Sequence, residues 1–301
     1  MQEAGSEETM TRHWTTLLVA AACVPLAAQN VSHAERLLTR RYVEGDRLQY
    51  LMKAQNNGST YEVRVTATTK KAADGRFVDE LAWSDMVVNG APRALAATSQ
   101  AFRLAMTLEG GAPFELPDLS KAPGLIGPVT DVLTFYSDLF LAMHQGALRT
   151  AGDHFYFPNP IAASWADGAA VVLGEDHIDF DITLTAVDRA SDVATLLIKH
   201  VPPPAPKIRL PADWMRAPVA DTPNNWVQVR KTDTGFAASM GKETFDVKQS
   251  IALSNGKILS ATMDNPVTKV ARVCSDAALT RCGDAKLDPT LRRIEMSLLR
   301  E

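Results

Sequence analysis

The sequence predicts a mainly β (α+β) fold: a large curved antiparallel sheet, open or half-barrel, made of long hairpins with one major helix packed on it. Apolar and polar residues alternate over many segments, as in strands with one face in water, and Asn-Gly or Asp-Gly pairs separate these segments. One segment between them has the spacing of an amphipathic helix instead.

The clearest hairpin signal lies in Phe245–Met263. Phe245, Val247, Ile251 and Leu253 share one face of its first arm, and Gln249 is the polar exception on that face. Asn255-Gly256 predicts a tight type I′ turn, because both residues tolerate positive φ angles. Similar alternation from Leu48 to Leu108 predicts an antiparallel meander ahead of the helix.

The helix is predicted over Val129–Leu148, after a segment rich in proline and glycine. Its apolar residues recur at intervals of three and four, and Pro128 suits a first turn, where its missing N–H costs nothing. A proline-rich strap at 202–225 follows the next strands. We interpret it as crossing one continuous sheet, so that 29–301 forms a single β-rich domain.

The first residues predict export. Arg12 and His13 precede the apolar run Trp14–Ala28, and this pattern fits a signal peptide over 1–28 that is cleaved near Ala28. The acidic residues before Met10 are unusual for a signal, so Met10 is the alternative start. A periplasmic or secreted protein is expected, with a lipid anchor at Cys23 as the minor alternative.

Cysteine usage agrees with an oxidising compartment. Beyond the leader the chain has Cys274 and Cys282, and their spacing predicts a small disulfide loop.

The net charge of −4 and the absence of a basic stripe predict no nucleic-acid partner. No later apolar run is long enough to span a membrane. No phosphate, dinucleotide or metal motif occurs, so no cofactor or metal is predicted.

The best polar cluster lies in Glu175–Asp181, where Glu175, His177, Asp179 and Asp181 would project from one face of a strand. A base beside an acid is the arrangement a hydrolase needs. A solvated strand face gives the same alternation, and this is the favoured interpretation. His144 and His154 are interpreted as structural or exposed residues.

An aromatic segment follows the helix and offers apolar surface for a ligand. Rigid aromatic side chains often line binding pockets, although ordinary core packing is the more frequent explanation. The residues predicted to line an apolar site between helix and sheet are Leu133, Tyr136, Phe140, Phe155, Phe157 and Trp165.

Three segments carry a family resemblance: NPIAASWADGAAVVLGEDHIDFDITL, WMRAPVADTPNNWVQVRK and GKETFDVKQSIALSNGKILSATMDNPV. With them, most of the mature chain resembles uncharacterised exported β-rich proteins of soil bacteria, a family that implies no residue roles. The predicted architecture is also loosely similar to periplasmic lipoprotein-carrier half-barrels, which is an analogy of fold alone.

Three functions follow as hypotheses. The first is a protein that binds or carries an apolar small molecule or lipid in a cavity between sheet and helix. The second is a secreted hydrolase that uses the His177/Asp179/Asp181 face, and the third is a structural interaction module of the envelope. The sequence favours a protein that is not an enzyme and gives no oligomeric state.

Overall fold

The structure is a computed structural model that describes residues 36–110, 117–144, 148–165 and 171–300. The predicted signal peptide, the alternative start at Met10 and Cys23 lie outside these residues. Within them the chain forms one antiparallel sheet of sixteen strands that is not closed, with one major helix. The predicted mainly β fold is therefore confirmed.

Sixteen strands and two α-helices follow one another along the described chain. They are β1 (Arg47–Asn56), β2 (Ser59–Lys71), β3 (Phe77–Val88), β4 (Ala91–Pro92), α1 (Ala97–Ala101), β5 (Leu104–Met106), α2 (Ile126–His144), β6 (His154–Phe157), β7 (Ala163–Ser164), β8 (Val171–Asp176), β9 (Asp179–Asp188), β10 (Val193–Val201), β11 (Trp226–Thr232), β12 (Gly235–Glu243), β13 (Phe245–Ala252), β14 (Ile258–Cys274), β15 (Lys286–Leu287) and β16 (Thr290–Arg300).

The longest strand, β14, organises the sheet because it pairs with four others. Its first part pairs with β13 and its last part with β12, while β16 and β15 also pair with it. The main path runs β4-β3-β2-β1-β16-β14-β12-β11-β8-β7. A branch leaves through β13 to β10, β9 and β6.

The turns of the meander follow the sequence signal, whereas the turn of the clearest predicted hairpin does not. Asn57-Gly58 and Asn89-Gly90 each connect two strands directly, with positive φ at both residues. At Asn255-Gly256 only Gly256 has a positive φ, and Leu253–Lys257 forms a longer loop. The backbone at Thr39 and Arg40 passes so close to Gly256 that a Cβ there would lie 2.4 Å from the Thr39 carbonyl oxygen. The predicted two-residue turn was wrong because this tertiary contact shapes the loop.

The major helix α2 begins at Ile126, three residues before the predicted start, and ends at His144. Its buried face packs into the main apolar cluster, where Val129, Val132, Phe135 and Leu139 are fully buried. Gln249, the polar exception of the predicted hairpin, is also fully buried, and its side-chain amide donates a hydrogen bond of 2.8 Å to the Phe135 carbonyl oxygen. The exception therefore helps to attach α2 to the sheet.

The proline-rich strap lies against a second apolar cluster. Ala212 and Met215 of the strap pack with Val227, Met240 and Cys274 in this cluster. The sulfur atoms of Cys274 and Cys282 lie 2.00 Å apart, so the predicted disulfide pair is present. In the described part of the chain, no helix is long and apolar enough to cross a membrane.

Candidate ligand-binding site

The free edge of β3 contains an open cleft of about 710 Å³. β5 pairs with β3 at Asp79–Leu81, and β4 pairs with it at Val87 and Val88, so residues 82–86 lie between the two partners. The cleft is formed at this gap, and its lining residues are Trp83, Ser84, Asp85, Met86, Pro92, Arg93, Ala94, Leu95 and Gln100. A smaller cleft, of about 500 Å³, lies between the loop at 149–151 and the end of β9.

A β-bulge builds the floor of the cleft. Glu62 pairs with Val87 and Arg64 pairs with Ser84, so one residue of β2 stands opposite two residues of β3. Asp85 takes a φ of 53° at this point, an angle that aspartate tolerates better than most residues. Because of the extra residue, Trp83 and Met86 are both buried although they are three positions apart.

Trp83 leaves a polar group without a partner. Its ring packs on Phe102 with 5.8 Å between the ring centroids, and the residue is 4% exposed. The indole Nε1–H is buried and donates no hydrogen bond to any residue that the structure describes. A buried donor without an acceptor costs about 1–3 kcal/mol. Trp83 is one of six described residues with a buried side-chain atom of this kind, and among these six it is the residue that lines the cleft.

The rim of the cleft carries polar groups, most of which are already engaged. Asp85 is ion-paired with Arg64, with 3.3 Å between Nε and the carboxylate oxygen. The side-chain amide of Gln100 donates to the Leu95 carbonyl oxygen at 2.9 Å. Arg93 is held by its backbone N–H, which donates to the Met86 carbonyl oxygen at 2.8 Å. Its guanidinium forms no ion pair with the described residues, and the residue is exposed.

The three helix residues predicted to line an apolar site pack against neighbours. Leu133 and Phe140 are half-buried and contact the main apolar cluster. Tyr136 is buried, and its hydroxyl lies 3.4 Å from a carboxylate oxygen of Asp79. Burial first, and then the charge of Asp79, raise the pKa of Tyr136 well above its usual range.

The other three predicted residues lie elsewhere on the sheet. Phe155 is half-buried against the main cluster, and the ring of Phe157 lies 6.2 Å from that of Phe180. Trp165 stacks on Trp226 with 6.3 Å between centroids. None of the six predicted residues lines either of the two clefts described above.

The polar face of β8 and β9 is largely buried rather than solvated, so the favoured interpretation of that face was wrong. Glu175, His177 and Asp179 are at most 5% exposed. Glu175 accepts hydrogen bonds from the backbone N–H and the Nε of Arg209, at 2.7 Å and 2.6 Å. The strap covers this face, a contact between distant segments that strand periodicity does not reveal.

The histidines near this face have structural contacts. Both ring nitrogens of His177 bind backbone groups: Nε2 lies 2.6 Å from the Asn159 carbonyl oxygen, and Nδ1 accepts from the Lys207 N–H at 2.8 Å. His154 and Asp181 form a separate exposed pair at 2.6 Å. Asp179 accepts from the Tyr156 hydroxyl and from the Asn159 N–H. The structure thus divides the predicted His177/Asp179/Asp181 set between two environments.

Two buried aspartates attach α2 to the sheet. Asp131 accepts from the Tyr61 hydroxyl at 2.6 Å and pairs with Arg292, and the charge of Asp131 raises the pKa of Arg292. Asp138, two turns further along, lies 2.7 Å from Nε2 of His200. Burial raises the pKa of Asp138 despite the opposing effect of His200.

Two further carboxyl groups, those of Asp176 and Glu243, lie where β8 and β12 end. Burial and the nearby charge of Glu243 raise the pKa of Asp176 well above its usual range. Burial also raises the pKa of Glu243, while the hydrogen bond from Asn265 opposes that rise. Across the four described ranges, no group of three or more His, Cys, Asp or Glu side chains is arranged to hold a metal ion.

Sequence reasoning missed Trp83 and Arg93, although one signal was present. The alternation of β3 places Leu81 and Trp83 on one face and then breaks at Ser84-Asp85 before Met86. A break of this kind indicates a bulge, and bulges are frequent beside functional sites. The missing hydrogen bond of Trp83 has no such signal, because it depends on which residues surround the ring.

Comparison with known proteins adds no assignment. No model of a known protein family matches the chain, and the search of curated proteins gives no significant match.

Proposed function

We propose that the protein is an exported binding protein that holds a small amphipathic molecule in the cleft at the free edge of β3. The observation that carries the proposal is the buried indole N–H of Trp83, which lacks an acceptor within the described structure. A ligand that displaced the side chains covering this N–H and supplied an acceptor would recover the free energy that the unsatisfied donor costs.

The chemistry of the cleft supports a ligand with both apolar and polar parts. Its volume of about 710 Å³ lies within the range of about 300–1,000 Å³ that is usual for small-molecule sites. Trp83, Met86 and Leu95 supply apolar surface, and Arg93 and Gln100 supply polar groups. The proposed location differs from the predicted site between α2 and the sheet, since none of the six residues predicted to line that site lines this cleft.

The expected location is the periplasm or the extracellular medium. The leader pattern at 1–28 and the disulfide pair Cys274–Cys282 support this location. The hydrolase and the envelope interaction module stay predictions, and no contact in the described structure favours either over ligand binding.

The test is calorimetric binding of octanoate, octanol and octylamine to the wild type and two variants. Trp83→Phe keeps the aromatic ring and removes the N–H. We expect it to lower the affinity for the bound compound about five- to tenfold, which is the value of one hydrogen bond. Trp214→Phe is the matched control, because its indole N–H already donates to the Leu279 carbonyl oxygen at 3.1 Å. Binding of none of the three compounds, or equal binding to both variants, would overturn the proposal.

A further inference from the structure

We infer that the ligand of the β3-edge cleft carries an anionic, oxygen-bearing head group, such as a carboxylate, on an apolar tail. This inference rests on the proposed function and specifies its ligand. It follows from which polar groups of the cleft are free and which are engaged.

Two groups of the cleft that can bind a head group act only as donors. The Trp83 Nε1–H is a buried donor with no acceptor in the part of the chain that the structure describes. Arg93 presents a permanently charged guanidinium with several N–H donors at the rim, and it has no ion pair there. Neither group can accept a hydrogen bond, so both favour an oxygen acceptor over a cationic or donor group.

The one carboxylate that lines the cleft, that of Asp85, already has a cationic partner. Asp85 is paired with Arg64, and its carboxylate also accepts from the Ser84 hydroxyl at 3.4 Å. One of the two amide N–H groups of Gln100 donates to the Leu95 carbonyl oxygen, and the other is a further neutral donor at the rim. Arg93 is therefore the one charged residue of the cleft lining that has no ion pair among the described residues.

The position of Arg93 is fixed by the fold. Its backbone N–H bonds to Met86 at the bulge, directly beside the floor residue Trp83. This bond ties the segment that carries Arg93 to the strand that carries Trp83, so that both residues line the same cleft. The tail would lie on the apolar surface of Met86, Pro92 and Leu95.

The experiment compares octanoate, octanol and octylamine in calorimetry at low salt and mildly alkaline pH, with wild type, Arg93→Gln and Arg216→Gln. Arg216 is an exposed arginine of the strap, paired with Asp213, and serves as the control. We expect wild type and the control to bind octanoate about tenfold or more tightly than octanol, the value of a charge-assisted hydrogen bond. Arg93→Gln should remove this preference, whereas Arg216→Gln should keep it.

The outcomes separate this inference from the function on which it rests. Equal affinity for octanoate and octanol, tighter binding of octylamine, or a preference that survives in Arg93→Gln would overturn the anionic head group and leave the binding function intact. Failure of all three compounds to bind wild type would overturn both.

Discussion

Buried polar groups are hydrogen-bonded to different extents in the interface beneath α2 and in the cleft at the edge of β3. Beneath α2 each buried polar side chain makes at least one hydrogen bond or ion pair, as Asp131 does with Tyr61 and Arg292. Asp138 and Gln249 each leave one oxygen free, but each has another contact. At the cleft, the one polar atom of the Trp83 side chain has no contact among the described residues.

We propose that this difference separates the scaffold from the binding site. Polar groups that bind one another fix α2 to the sheet, and nothing further is needed to explain them. A donor left without a partner has a cost that the fold does not recover, and a ligand would recover it. Variants in the two regions should therefore respond differently, and the expected effects run from the largest to the smallest.

Breaking the ion pair beneath α2 should cost the most. Arg292→Met leaves Asp131 buried without its cation, and we expect a loss of about 3–5 kcal/mol in the free energy of unfolding. Urea denaturation measures this loss. The double variant Asp131→Leu/Arg292→Met is the control, since it removes both charges and should recover most of the stability. A small loss in the single variant would show that the pair does not hold the helix.

Removing the disulfide should have an intermediate effect. Cys274→Ser/Cys282→Ser frees a short loop, and we expect a loss of about 2 kcal/mol in unfolding free energy. Thermal unfolding of the oxidised wild type, the reduced wild type and the variant should give the same loss for the last two. Octanoate affinity should not change, because neither cysteine lines the cleft.

The two indoles should respond in opposite directions. Trp214→Phe removes a made hydrogen bond and should lower the free energy of unfolding by about 1 kcal/mol. Trp83→Phe removes an unsatisfied donor, so its stability without ligand should equal or exceed that of the wild type. Urea denaturation of both variants checks this contrast. If both lose the same stability, the Trp83 N–H has a partner in the folded protein.

The effect of pH on stability should depend on Asp138. Burial raises its pKa in the folded chain, so the native state holds more protons than the unfolded state from the ordinary carboxyl pKa upward. The contribution of Asp138 to stability is therefore fully present below that pKa and is lost as pH rises through the raised value. Asp138→Asn should flatten this part of the stability profile.

Asp153 supplies a control of opposite sign. Its pKa is lowered, first by the backbone hydrogen bonds from Thr150 and Arg149, so its contribution is present above the ordinary carboxyl pKa and is lost as pH falls. Asp153→Asn should therefore change the acid side of the profile. An unchanged profile for Asp138→Asn would mean that Asp138 keeps an ordinary pKa.

The sequence predicts the fold well because strand alternation and helical spacing report which face of each segment is buried. It even marks Gln249 as an exception, though the partner of this residue, the Phe135 carbonyl oxygen, lies 114 positions away and cannot be inferred from local pattern. The same limit applies to Glu175 and His177, whose contacts come from the strap. Alternation alone predicted that these residues face solvent.

The candidate site was less predictable than the fold for a related reason. Aromatic content predicts an apolar site in the segment around Phe155 and Trp165, but the rings of this segment pack against partners. Trp83 comes just before the break in the strand pattern at Ser84-Asp85, but this break does not show how β4, α1 and β5 are arranged around the edge of β3 to form the cleft. An unsatisfied hydrogen bond is a property of three-dimensional surroundings, so periodicity cannot reveal it.

The most direct measurement is the ¹H–¹⁵N spectrum of the indole groups during titration with octanoate, with the Trp83 signal assigned by its loss in Trp83→Phe. We expect the Trp83 N–H signal to move downfield as this N–H gains an acceptor. The Trp214 signal should stay in place, because its N–H already donates a hydrogen bond to the Leu279 carbonyl oxygen. A Trp83 signal that does not move at saturating octanoate would contradict the account.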